Sequence, residues 1–254
     1  MLALERKVDD TNIILIEEPE NHQSFSSMNI LLKKIKDKCD GKQIIITTHN
    51  SFVLNKLGLD KLILISKGQQ SRLENLPPDT QNYFKKLSGY DTLRLILAKK
   101  SILVEGPSDE LIVQKAYQKK HNKLPIEGGV DVISVRGLSF KRFLDIAKEL
   151  AIDVSVVTDN DGDYATKITQ KYKDYSSLPN IHIFADSDNS ASTLEPQIVK
   201  CNDLATLNGI FETTFTDKDS LSAYMIENKT ECALKLFETE QDFVFPQYIQ
   251  NAVS

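Results

Sequence analysis

No apolar run in this 254-residue chain approaches the roughly 20 residues that span a bilayer, and the N-terminus carries no apolar secretory core. Cysteine is scarce. Cys39, Cys201 and Cys232 are widely separated and odd in number, which argues against both a disulfide framework and a zinc site. These absences point to a cytoplasmic protein that does not meet a membrane. Positive charge is not in excess either. The net charge is −5, so a nucleic-acid role needs a local basic surface and acids masked by metal. No Gly-x-x-x-x-Gly-Lys-Ser/Thr stretch occurs, so the phosphate cradle of a P-loop is missing. What remains is ordinary for a soluble globular protein, with 41% hydrophobic and 26% charged residues. The length allows one large or two modest domains.

Two short apolar runs end abruptly in carboxylates. Ile102-Leu103-Val104 is β-rich and stops at Glu105; Gly106-Pro107 then breaks the strand, and Ser108 is placed to cap the helix that follows. Val154 to Thr158 stops likewise at Asp159-Asn160-Asp161-Gly162-Asp163. In an open α/β sheet the carboxyl ends of parallel strands form the crevice where ligands bind. Two such strands side by side bring Glu105, Asp159 and Asp161 together. Three anions so close call for a cation, and hard oxygen ligands select magnesium or manganese. Each acid alone reads equally as a turn or helix cap; the joint pattern is harder to produce by capping. An EF-hand is excluded by spacing. Its Gly belongs at loop position 6 and its Glu at position 12, whereas here Gly162 is at position 4 and Gln170 at position 12.

The chain before this begins with a helix tail over residues 1–7. Asn12 to Ile16 is a strand running into Glu17-Glu18-Pro19-Glu20-Asn21-His22. An amphipathic helix follows, with Phe25, Met28, Leu31, Leu32 and Ile35 on one face and lysines on the other. Ile44-Ile45-Ile46 closes on Thr47-Thr48-His49-Asn50, and a helix with Phe52, Val53, Leu54 and Leu57 leads to a third strand, Leu62 to Ile65. This β-α-β-α-β series demands right-handed crossovers and a parallel sheet. Thr80 to Leu87 and Asp91 to Ala98 read as two bridging helices. Beyond Glu105, strands at Val130–Val135 and Ile181–Ala185 alternate with helices at Phe140–Leu150 and near Tyr164–Tyr172, which supports a doubly wound sheet. Asp163, Asp186 and Asp188 are read as caps or supporting residues.

The strand–Glu-Gly–helix unit with the later strand–Asp-x-Asp-Gly-Asp unit resembles the Toprim domain shared by topoisomerases, primases and OLD-family nucleases. That resemblance implies divalent metal on the strand-end glutamate and the Asp-x-Asp pair. The stretch Leu15-Ile16-Glu17-Glu18-Pro19 with the later Thr48-His49 resembles the second half of an ABC-type ATPase. It implies that Glu17 stands at the Walker B position on the nucleotide magnesium, Glu18 activates the attacking water, and His49 is the switch histidine reaching the γ-phosphate. Glu17 departs from the usual Asp of that position. With the P-loop and signature motif missing, the ATPase reads as half of a domain, and this chain alone is not expected to hydrolyse ATP; ATP enters only in the full-length protein.

Taken in order, the fold class is α/β, a partial ABC-type ATPase parallel sheet (1–70), a helical connector (71–100), then a doubly wound Toprim-like domain with C-terminal helices (101–254). That order resembles the OLD family of ATP-dependent endonucleases, which includes the nuclease subunit of the Gabija anti-phage system. The resemblance implies metal-dependent hydrolysis of a DNA phosphodiester by two Mg²⁺ or Mn²⁺ ions. It assigns one metal to Glu105, Asp109 and Asp159 and the other to Asp159, Asp161 and Glu195. The Tyr224–Thr230 segment is similar to the family's C-terminal helix, which implies that Lys229 points into the site, where it could neutralise developing charge; its alternative is a solvated surface lysine. Glu105, Asp159, Asp161 and Lys229 are thus the expected catalytic residues. The expected partners are DNA, a second copy bound through the Toprim or ATPase portion, and a helicase-like protein. Lys119, Lys120, Lys123, Arg136, Lys141 and Arg142 are candidates for DNA phosphates. Two other classes stay open: a non-enzymatic module that docks DNA or a partner, and a topoisomerase, for whose tyrosine-bearing gate domain the chain has no room.

Overall fold

A computed structural model describes residues 11–38, 41–66, 69–89, 91–136 and 140–254. The helix read over residues 1–7, Cys39 and Gly137 lie outside these. The chain divides into two compact units, Met1–Leu93 and Arg94–Ser254. Among the described residues no helix is long and apolar enough to cross a membrane, and Cys201 and Cys232 are free thiols.

In the first unit β1 (Ile13–Glu17) pairs in parallel with β2 (Gln43–Thr47), Leu15 opposite Ile45. The crossover between them is α1 (Phe25–Lys38), and α2 (Ser51–Leu57) follows β2. Alternation along the strands sends Ile16, Ile44 and Ile46 inward against Met28, Leu32 and Ile35 of α1 and Val53 of α2. Asn50 caps α2, its side chain accepting from the Phe52 and Val53 amides at 2.9 and 3.3 Å. The expected third parallel strand is not one. Ile63–Ser66 (β3) instead pairs antiparallel with Gln69–Arg72 (β4) in a separate two-stranded sheet. Lys67 and Gly68 alone separate the two in sequence, and a link that short permits only an antiparallel return. Two helices follow, α3 (Pro78–Lys86) and α4 (Thr92–Leu97), close to the spans read from the sequence.

The second unit is built on four parallel strands, β5 (Lys100–Val104), β6 (Val130–Ser134), β7 (Asp153–Val157) and β8 (Ile181–Phe184), in the order β6-β5-β7-β8. Both β5 and β7 are buried at every position after the first, the signature of strands covered on two faces. Ile102 and Val104 face a core completed by α5 (Pro107–His121) and the C-terminal helices. Those helices are α7 (Leu194–Cys201), α8 (Leu204–Phe211), α9 (Lys218–Glu227), α10 (Lys229–Glu238) and α11 (Gln247–Ala252). By alternation Leu103 faces the other side, where α6 (Phe140–Leu150) lies against β7 and β8. Each fully buried Ile, Leu or Val here stabilises the fold by about 1.5–3 kcal/mol relative to leaving it exposed. The chain leaves β5 toward β6 on one side, then crosses to β7 on the other. The direction therefore reverses between β5 and β7, and the crevice of a doubly wound sheet opens at such a reversal.

Two helices differ from expectation. The polar stretch after Asp163 is a π-turn over Ala165–Gln170 rather than an α-helix. The segment Tyr224–Thr230 is not one helix but the junction of α9 and α10 at Asn228, whose side chain bonds back to the Tyr224 carbonyl at 2.9 Å.

Candidate active site

Glu105 is the residue after β5 and Asp159 lies just past the end of β7, so the reversal point sets them side by side. Glu105 Oε1 accepts from Thr158 Oγ at 2.5 Å and from the Asp159 amide at 3.1 Å. The glutamate therefore ties the two strand ends together. The cap of α5 is not Ser108 but Gly106, whose amide donates to Asp109 Oδ2 at 3.1 Å. Pro107 takes the first helical position, where its missing N–H costs nothing. Asp109 thus caps its own helix and still faces the cluster. Burial first, then the charges of Glu105 and Glu195, push its carboxyl up from 3.8 to about 7.

Asp159 is the most perturbed acid of the cluster. Burial, then Asp109, Glu105 and Glu195, push it up from 3.8 to about 8, with Lys229 pulling the other way. Its Oδ1 is buried and takes no hydrogen bond. Glu195 arrives on the first turn of α7 with a side chain only 5% exposed. Its Oε2 accepts from Thr193 Oγ at 3.1 Å and from Lys229 Nζ at 3.1 Å. Lys229 opens α10 at the Asn228 junction, which aims its ammonium at Glu195 while leaving the side chain half exposed. It is not a free surface lysine.

Asp161 differs from them in its exposure. It is exposed, in a left-handed conformation (φ 49°), with Lys167 Nζ 3.8 Å from its carboxylate. Among the described residues no hydrogen bond ties its carboxylate to Asp159 or Glu195. The exposure follows from the turn itself. Asn160, fully buried, donates from Nδ2 to the Asp186 and Asp188 carbonyls at 2.8 and 2.9 Å and accepts from the Gly162 amide at 2.8 Å. With Asn160 pinned inward, the flanking Asp161 faces solvent and Gly162 takes φ +78°, which a side chain would strain. Asp163 accepts from the Thr166 amide, Asp186 from the Asp188 amide, and Asp188 from Ser190 and Lys200. These three are caps and turn anchors, as read from the sequence. Asn160 and Thr158 were not singled out there; the signal was present in a polar residue ending the buried run of β7.

Several candidate phosphate contacts are engaged elsewhere. Lys119 bonds Asp242 at 2.8 Å and Lys120 bonds Ser254 Oγ at 2.6 Å. These contacts link α5 to the C-terminal segment. Arg136 and Lys141 are exposed.

In the first unit the acids and histidine meet more loosely. Glu17 ends β1 opposite Thr47 and is exposed. Glu18, at φ 41°, places Oε1 3.4 Å from His49 Nδ1 and accepts from Asn21 at 2.5 Å. Glu20, which the sequence reading passed over, lies 3.4 Å from the same nitrogen. Its Oε1 accepts from Thr48 Oγ at 2.7 Å and from the His49 amide at 2.9 Å, and its Oε2 is buried without a partner. The histidine itself is 64% exposed.

Whether the cluster of the second unit suits a divalent cation can be tested on its own atoms. The donors are all carboxylates, hard oxygen ligands. They raise one another's proton affinity, a cost that a cation removes. The orphaned Asp159 Oδ1 is the kind of buried atom that an ion satisfies. Yet among the described residues no three or more His, Cys, Asp or Glu side chains stand ready to hold a metal ion. Glu105 Oε1 is turned to Thr158 and the Asp159 amide, and Glu195 Oε2 to Lys229. The donor chemistry fits; side-chain rotation is needed to close it around one point.

Residues 96–161 match the family model described as overcoming lysogenization defect protein-like, TOPRIM domain. The matched stretch holds Glu105, Asp109, Asp159 and Asp161; Glu195 and Lys229 lie beyond it. The chain is also similar to two curated proteins named Endonuclease GajA. It is 26% identical over 164 residues to that of Bacillus cereus strain VD045, covering 63% of this chain and 28% of that protein. To that of strain HuB5-5 it is 24% identical over 231 residues, covering 76% and 33%. The chain therefore spans a third or less of these relatives. Among solved structures, the C-terminal region of the Xanthomonas campestris pv. campestris OLD protein matches at a TM-score of 0.45 and 18% identity, covering 63% of this chain and 92% of that one. The C-terminal region of the Burkholderia pseudomallei OLD protein matches at 0.46 and 18%, covering 61% and 95%. The chain resembles OLD-family proteins, as its motifs suggested.

Proposed function

We propose that the second unit is the Toprim nuclease domain of a Mg²⁺- or Mn²⁺-dependent DNA endonuclease. The observation that carries this reading is the gathering of Glu105, Asp109, Asp159 and Glu195, with Lys229, at the reversal point of the sheet. A structural cap network has no need to crowd four carboxylates together at one crevice. Glu105, Asp109, Asp159 and Glu195 would hold the metal, with Asp161 at the rim. When bound, such ions polarise the scissile phosphate, lower the pKa of water and stabilise the leaving oxygen. The chain's own residues do the rest. Thr158 fixes the rotamer of Glu105. Lys229, half exposed beside Glu195, supplies a positive charge where negative charge develops on the phosphate or leaving oxygen. The family resemblance and the name of the GajA relatives point the same way.

The same reading takes residues 1–70 as the C-terminal half of an ABC-type ATPase domain and 71–100 as a connector. Glu17, Glu18 and His49 then belong to an ATP site that this chain does not complete. A cytoplasmic setting, self-association, a helicase-like partner and a role in anti-phage defence belong to this proposal as well. Supercoiled plasmid incubated with the chain and Mg²⁺ or Mn²⁺ tests it. Nicking is expected, lost in EDTA and reduced by about 10³-fold in Asp159→Ala, at the upper end of what a single electrostatic group contributes. Nicking that survives Asp159→Ala overturns the assignment.

A further inference from the structure

Lys171 follows directly on the π-turn Ala165–Gln170, a geometry frequent beside functional sites. Its ammonium sits 5.0 Å from the ring centroid of Tyr172 and 6.0 Å from that of Phe140. Both rings are buried and meet edge-on at 6.4 Å. They form a fixed shelf that limits where the cation sits. Burial lowers the proton affinity of this lysine, and Glu105 and Asp161 return part of it, so the group lies within the field of the acid cluster; Lys167 and Lys141 act on it as well.

Lys171 is half-buried against these rings, whereas other lysines of the unit are paired with carboxylates. Lys119 is paired with Asp242, Lys167 with Asp161, Lys200 with Asp188 and Lys229 with Glu195. Among the described residues the Lys171 ammonium makes neither an ion pair nor a hydrogen bond, only the two ring contacts. A half-buried cation without a counter-anion is costly to keep, and cation–ring contact returns only about 0.5–2 kcal/mol. Once the neighbouring acids hold divalent cations, their attraction for it is lost. The anion that completes this position must then come from outside, and a DNA backbone phosphate has the chemistry to do so.

We infer that Lys171 positions a DNA phosphate at the mouth of the acid cluster, held in place by the Phe140–Tyr172 shelf. This rests on the nuclease reading above and names one way in which its substrate is held. Lys171 is a positioning residue; the acids and Lys229 remain the reacting set.

Binding of the whole chain to a short labelled DNA duplex, measured across a salt series with Ca²⁺ replacing Mg²⁺, tests the inference. Lys171→Ala and Lys171→Gln are expected to weaken binding about tenfold and to lower the slope of log affinity against log salt by about one. Lys171→Arg, which keeps the charge, should stay within about threefold of the wild type, and the metal-induced melting shift should be unchanged in all three variants. A slope in Lys171→Ala equal to that of the wild type overturns the inference. So does a Lys171→Arg protein as impaired as Lys171→Ala, or a wild-type chain that binds no DNA. Failure of the nuclease reading is seen separately, in plasmid nicking by Asp159→Ala.

Discussion

The two units contain the same kind of element, a parallel strand ending in acids, in opposite conditions. In the second unit β5 and β7 are buried along nearly their whole length, and the acids beyond them crowd into a half-buried cluster. In the first, the described residues cover β1 and β2 on one face. Ile13, Leu15 and Ile45 stand 57%, 73% and 48% exposed on the other, and Glu17 and His49 face solvent. Carboxylates acquire unusual proton affinity where burial and neighbouring negative charge disfavour the ionised form. By this measure the acids of the second unit are clustered and perturbed, whereas Glu17 and His49 of the first are exposed.

The largest expected difference concerns packing. Phe143 is fully buried on α6, so Phe143→Ala should cost about 3–5 kcal/mol in urea unfolding. A comparable loss from Leu15→Ala, which is expected to change stability by about 0.5 kcal/mol or less, would erase the contrast between the units.

Lys229→Ala comes next. It should slow plasmid nicking by about 10²-fold, the cost of one donor to a developing oxyanion. Because the amine also pairs with buried Glu195, the metal-free variant should lose about 1 kcal/mol or less, the lysine being half exposed, and metal should restore it. Nicking at the wild-type rate would remove this residue from the site.

The pH dependence of stability follows from the acids. Asp109 and Asp159 are raised from 3.8 to about 7 and about 8 in the folded chain. Between those limits the folded state binds more protons than the unfolded one, so stability falls as pH rises. Their stabilising contribution is full below the unfolded value and is lost as pH rises through the folded ones. Urea midpoints of the EDTA-treated chain should therefore fall between about pH 5.5 and about pH 8.5, and added Mg²⁺ should recover more stability at the higher pH. A midpoint that rises over that range contradicts the clustering. The smallest effect is expected in the first unit, where Glu18→Gln should change neither nicking nor melting, with or without ATP.

Much of this was legible in the sequence because burial on two faces writes itself as nearly continuous apolar runs. Ile102–Val104 and Val154–Val157 announced central strands, and their terminal acids announced the crevice. The pairing of β3 was not legible, since Ile63–Ser66 reads the same whether its neighbour is parallel or antiparallel. Nor was the direction of Asp161, which is set by the inward bonds of Asn160 to carbonyls more than 20 residues away. Glu20 was hidden beside the more conspicuous Glu17-Glu18 pair. Lys171 was hidden because a lysine on a polar stretch is nearly always solvated, and only the placement of Phe140 and Tyr172 distinguishes it.

The central claim is that Glu105, Asp109, Asp159 and Glu195 form one cation site. The most direct measurement is the melting temperature of the chain against Mn²⁺ concentration, for the wild type and Glu105→Gln. A ligand at free concentration c that binds only the folded state stabilises it by RT ln(1 + c/Kd), so the melting temperature climbs with ligand concentration. The wild type should therefore shift upward with Mn²⁺, and Glu105→Gln should lose most of the shift while melting at least as high in EDTA, one repelling charge having gone. Equal shifts in the two proteins, or none in the wild type, would mean that these acids do not act as one site.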